Sequence, residues 1–169
     1  MITTTISAGQ TGSGLVLAAL DQEIILAGGT ASAGNVATLA RVLVSGGVAD
    51  GTLLNSGAYV DVYSGGTTLD TVSNGLEFVY SGGTASRSRV NSGARQILSG
   101  GTASGTLVNA GVEFVHAGGV ARAGVIGGGG QELLSGGTAS GTIISSGRAA
   151  VFSGGAAAGT AMVGSGSAE

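Results

Sequence analysis

The chain contains no cysteine, no proline and no lysine, and its only histidine is His116. Without cysteine there is neither a disulfide framework nor a thiolate metal site. Without proline every residue keeps its backbone donor, as strands feeding a continuous hydrogen-bonded ladder require. The lack of lysine, with a formal net charge of −3, argues against a nucleic-acid partner. The chain opens without the basic n-region of a classical signal peptide. Its longest uncharged stretches, 1–20 and 149–168, hold too much Gly, Ser and Thr for a membrane helix, so no membrane insertion of this segment is expected. No Asn-x-Ser/Thr sequon occurs, which excludes N-glycosylation.

What the chain has in excess is glycine, 36 residues, about three times ordinary usage, and it is periodic. Ser-Gly-Gly or Ala-Gly-Gly returns at 27–29, 45–47, 64–66, 81–83, 99–101, 117–119, 135–137 and 153–155. A further glycine recurs at 57, 75, 93, 111, 129 and 147. A fixed period of this size marks a stacked repeat architecture. The aliphatic content distinguishes it from disordered Gly/Ser sequence. Aliphatics recur two residues before each block (Ile25, Leu43, Val62, Val79, Ile97, Val115, Leu133, Val151). A second column is Val36, Leu54, Val72, Val90, Val108, Ile126, Ile144 and Met162. A third, Ala31, Ala49, Thr68, Ala85, Ala103, Ala121, Ala139 and Ala157, is mostly small. The runs between glycines are too short for stable helices, and branched aliphatics favour strands.

Each unit therefore reads as one rung of an all-β, right-handed parallel β-helix (β-solenoid) of about eight 18-residue rungs. At about 4.8 Å per rung the rod is roughly 40 Å long. Residues 1–26 read as a degenerate N-terminal rung and cap, 27–162 as the repeat solenoid, and 163–169 as a frayed C-terminal end. The aliphatic columns, Val115 and Ile144 among them, are expected to face inward, and Arg95 and Glu113 to lie on the surface.

Catalytic and metal chemistry finds no foothold, and the chain is read as a non-enzyme without a cofactor. His116 has no second His or Cys with which to share a metal. One imidazole cannot serve as base to a ladder of serines. Asp21 and Glu23 are close in sequence but sit where solvated cap charges are expected. Calcium-binding nonapeptide repeats need an Asp in every turn, and only Asp70 falls in that place. The run Gly127–Gly130 lacks the Lys-Ser/Thr and the helix of a phosphate cradle. Regular hydroxyls are the chemistry that remains: Thr30, Thr67, Thr84, Thr102 and Thr138, and Ser45, Ser64, Ser81, Ser99, Ser135 and Ser153. Turn and ladder hydrogen bonding is their ordinary use. An ice-facing surface is disfavoured because Val48, Val120 and Ala156 interrupt the Thr column.

The motifs SGGTASGTLVNAG (99–111), SGGTASGTIISSG (135–147) and SGGTASRSRVNSG (81–93) resemble AIDA-type repeats. These occur in passenger domains of self-associating autotransporter adhesins of Gram-negative bacteria. The resemblance covers roughly 27–162. The chain departs from the family habit of Gln four residues before each block, keeping it only at Gln131. The resemblance implies a cell-surface or secreted β-solenoid acting in adhesion to host or bacterial surfaces. It also implies partnership with a protein O-heptosyltransferase, with Ser81, Ser99 and Ser135 as candidate acceptors. A purely structural scaffold or stalk module attached to another functional domain is the alternative. Tyr63, Phe78, Tyr80, Phe114, His116 and Phe152, with Leu98 and Leu134 between them, are expected to form an outward self-association stripe.

Overall fold

The computed structural model describes residues 1–164 and 167–168. Every strand in it pairs in parallel with its counterpart one turn away, building three faces of ten, nine and nine strands. Each rung lays one strand on each face. Rung 1 is Thr3–Ile6, Thr11–Ser13 and Val16–Leu17, and rung 9 is Arg148–Val151, Ala156–Ala158 and Ala161–Met162. The chain is an all-β parallel β-solenoid of about nine turns.

The extra rung comes from the N-terminus. Residues 1–26, expected as a degenerate N-terminal rung and cap, hold rung 1 and the first strand of the next, with Thr3–Ile6 in register on Gln22–Ile25. The Ser-Gly-Gly signature is absent there because Ser7-Ala8-Gly9-Gln10 makes the equivalent corner, closed by a hydrogen bond from Gln10 N to Ser7 O. At the other end, Ser167–Ala168 continues the first face on Arg148–Ala149, where a frayed end is expected; residues 165, 166 and 169 lie outside the described residues.

The second face follows the repeat without slippage. Its strands are Thr-Ala-Ser or close variants: the alanine column points inward, and the residues on either side point out. Ala157, in the last rung, is exposed because no further rung covers it.

The first face behaves differently. Its inward column is Ile25, Val44, Val62, Val79, Leu98, Val115 and Leu134, each fully buried. Leu43, Ile97 and Leu133, expected inside, are half-buried on the outward side, and Leu98 and Leu134, expected outside, are at 0% exposure. Val151, also expected inside, is exposed in the last rung. The cause is a compensated slip. In rungs 3, 6 and 8 the strand runs on to the serine itself (Arg41–Ser45, Arg95–Ser99, Gln131–Ser135). At its other end that strand starts late: Ala94 stands between Gly93 and Arg95, whereas Val112 follows Gly111 directly. A one-residue shift exchanges the two faces of a strand, while the 18-residue spacing of the glycines stays intact. One similar exchange occurs on the third face, where Ser73 rather than Val72 turns inward.

Candidate modification and association faces

The corner after the first face carries the serines singled out by the repeat. Ser81, Ser99 and Ser135 are all exposed. Ser81 sits in a two-residue turn closed by Gly83 N donating to Tyr80 O at 2.8 Å, and Ser99 and Ser135 end their strands. Just beyond, Thr84, Thr102 and Thr138 lie outward in register on the second face. A second outward hydroxyl column, Ser32, Ser86, Ser104 and Ser140, runs parallel to the threonines and was missed by sequence reasoning. The repeated tripeptide Thr-Ala-Ser at 84–86, 102–104 and 138–140 was the signal: alternation along a strand puts its first and third residues on one side.

The residues of the expected stripe fall into two neighbouring outward columns, with Tyr59 in a third beside Arg41 and Leu76. Phe78 and Phe114 share one with Ile24, Leu43, Ile97 and Leu133. Tyr63, Tyr80, His116 and Phe152 lie at or just past the strand ends. Tyr63 stacks on Tyr80 with centroids 5.0 Å apart, Phe78 on Tyr80 at 6.1 Å and Phe114 on His116 at 6.0 Å. Tyr63, Phe78, Tyr80 and Phe114 are half-buried, and His116 and Phe152 exposed. Asp61 interrupts the aliphatic column; it is covered, accepting hydrogen bonds from Arg41 Nε and from the Tyr80 hydroxyl at 3.4 Å. Asp70, the residue in the calcium-repeat position, accepts two hydrogen bonds from Arg87 at 2.7 and 2.8 Å. That guanidinium holds its carboxyl below the usual range.

Inside the first face runs a polar column, one member of which, Glu113, was expected on the surface. Glu77, Gln96, Glu113 and Glu132 follow one another in successive rungs, each at most 1% exposed. Glu113 was expected outside, but alternation along its strand puts it on the same side as the buried Val115; the slip, which places Arg95 and Gln131 outward, turns Gln96 and Glu132 inward alongside Glu77 and Glu113. Glu77 accepts from Thr68 Oγ1 and Gln96 Nε2, both at 2.7 Å. Gln96 in turn accepts from Thr106 Oγ1 at 3.0 Å, and Glu132 from Thr142 Oγ1 at 3.2 Å. Burial pushes the carboxyls of Glu77 and Glu23 up from their ordinary value. It pushes Glu132 up to about 6 and, helped by the charges of Glu132 and Glu77, Glu113 up to about 8.

Neither a family model nor a curated protein matches this chain. Among solved structures it is similar to a crystal structure of the TibC-catalysed, hyper-glycosylated TibA55-350 fragment. The two share 32% identity with a TM-score of 0.93, over 98% of this chain and 63% of the other. The chain thus spans somewhat less than two thirds of that fragment's length.

Proposed function

We propose that this chain is a non-enzymatic segment of a bacterial cell-surface or secreted protein that acts in adhesion and self-association and accepts O-linked heptose on its corner hydroxyls. One observation carries the reading. Exposed serines stand at the same corner of successive rungs, on a solenoid similar along nearly its whole length to a fragment hyper-glycosylated by another protein, TibC. A stack of such corners presents one acceptor geometry many times, so a transferase that recognises the corner can act repeatedly along the rod. Coexpression with a protein O-heptosyltransferase is expected to add several heptose masses. The Ser81→Ala, Ser99→Ala, Ser135→Ala variant should lose three of them. Intact mass spectrometry checks this; an unmodified wild type removes the acceptor reading, and a variant with undiminished addition removes these three serines from it.

Self-association is assigned to the outward columns of the first face, on the strength of their stacked aromatic and aliphatic groups. Sedimentation of the wild type beside Phe78→Ser, Phe114→Ser is expected to show concentration-dependent association that the variant weakens at least several-fold. Association unchanged in the variant would move the contact to the open end rungs, whose unpaired strand edges recruit other chains. A wild type monomeric at high concentration would exclude both routes.

A further inference from the structure

The interior acids are answered by a second buried column. Just before each third-face strand stands, rung by rung, Thr52, Thr71, Ser88, Thr106, Gly124 and Thr142, with Gly34 below them. Each member bonds through its carbonyl to the strand of the next rung, for example Val125 N to Thr106 O and Ile143 N to Gly124 O, both 2.8 Å. The hydroxyls of Thr106 and Thr142 are the donors that satisfy Gln96 and Glu132. In two rungs the column holds glycine while the facing residue is glutamate: Gly34 with Glu23, and Gly124 with Glu113. Those glutamates have unpartnered buried oxygens, Oε1 of Glu23 and both of Glu113. The donor has been removed where an acid needs one.

We propose that the Glu113–Glu132 carboxyl pair, facing the gap at Gly124, is a proton-operated weak point: it keeps rungs 6 to 8 closed while protonated and loosens them when the proton leaves. As a neutral acid Glu113 carries its own O–H and can donate to the lone pairs of Glu132 or of Thr106 Oγ1. As a carboxylate it needs donors, and Thr106, the hydroxyl that opposes its raised pKa, has a single hydrogen for which Gln96 competes at 3.0 Å. Among the described residues nothing cationic faces it. On its own face it lies between Gln96 and Glu132, with Glu77 beyond; from the other faces come Ala103, Ala121, Val108 and Ile126. All six arginines are exposed, and His116 points outward. The folded-state pKa of Glu113, raised to about 8, sets the sign. The acid's contribution to stability is fully present below the ordinary carboxylate range and is lost as pH climbs towards and through 8.

Thermal melts from pH 6 to 9 test this on wild type, Glu113→Gln and Gly124→Ser. Glu113→Gln should fold, because Gln96 already occupies this column. Gly124→Ser should fit: a Cβ there meets only Thr106 O at 3.7 Å and Glu113 Oε2 at 4.0 Å, at ordinary contact distance. Wild type should lose about 5 °C or more of Tm over that range. Glu113→Gln should remove at least half of the loss, and Gly124→Ser, by giving the carboxylate a donor, should reduce it. The infrared stretch of a protonated carboxyl should be present in wild type at pH 7 and weaker in Glu113→Gln. A wild-type Tm independent of pH, a full alkaline loss retained in Glu113→Gln, or no protonated carboxyl at pH 7 would each overturn the proposal. None of these readouts depends on glycosylation or association.

Discussion

Replacing Leu98 with aspartate is expected to unfold the middle of the solenoid, whereas the same change at Ile97 leaves it folded. Leu98 is at 0% exposure and in ladder register between Val79 and Val115. An aspartate there deletes an aliphatic side chain from a close-packed column and leaves a charge with no cation to meet it. The two losses together amount to roughly 4 kcal/mol or more. For a chain of this length that corresponds to a fall in Tm of about 10 °C or more. Ile97 is half-buried on the outward side between Phe78 and Phe114, where water reaches a carboxylate, so its substitution should cost about 1 kcal/mol. Thermal melts of the two variants decide the register. A larger loss at Ile97 would restore the inward column read from the glycine spacing, and equal tolerance would dissolve the distinction between the two sides.

That pair of neighbours marks where the sequence was legible and where it was not. The repeat, the parallel stacking and the alanine column follow directly from the glycine period, because the second face keeps one register throughout. The first face could not be read from a fixed distance to the Ser-Gly-Gly block, because the block and the strand before it slip by one residue in rungs 3, 6 and 8. A signal was nevertheless present. The slipped rungs end in two aliphatics before serine, Leu43-Val44, Ile97-Leu98 and Leu133-Leu134, whereas rungs 4, 5 and 7 have an aromatic or His there, Tyr63, Tyr80 and His116. The residue that must be buried is the aliphatic one nearest the corner in the first group and the one before the aromatic in the second. The corner serines, by contrast, stay exposed in either register, so their placement as candidate acceptors did not depend on resolving the slip.

The inward polar column also changes how the charge of the chain is understood. Glu23, Glu77, Glu113 and Glu132 belong to the interior, and each has its carboxyl pushed up. When they hold protons, the chain carries less negative charge than the formal −3. From residue 78 to residue 168 the acidic residues are Glu113 and Glu132 alone, against Arg87, Arg89, Arg95, Arg122 and Arg148. The upper rungs therefore present an arginine-bearing exterior over an acidic interior.

Gly83→Ala is expected to destabilise the solenoid far more than Gly93→Ala, although only the second glycine has a positive φ. Gly93 has φ +78, and a Cβ added there meets nothing within 4 Å. Alanine at Gly93 therefore suffers only the left-handed backbone penalty, about 1–2 kcal/mol. Gly83 lies in backbone space open to any residue, but a Cβ on it would stand 2.5 Å from the carbonyl oxygen of Val62 in the rung below and 3.1 Å from that of Tyr80. Both contacts are with backbone, and Tyr80 O already accepts the hydrogen bond that closes the corner. Relief requires rung 5 to lift off rung 4, which strains the ladder from Thr67–Leu69 to Thr84–Ser86 and exposes the aliphatic column beneath. The same approach recurs at Gly101 against Val79 O, at 2.6 Å, and at Gly137 against Val115 O, at 2.6 Å. The second glycine of the block is thus kept for spacing between rungs, and the repeat persists because each rung must pass this close to the last. Gly83→Ala should lower Tm by about 8 °C or more, beside roughly 3–5 °C for Gly93→Ala. Equal losses, or a larger one at Gly93, would show that turn conformation rather than rung contact preserves the Gly-Gly corner.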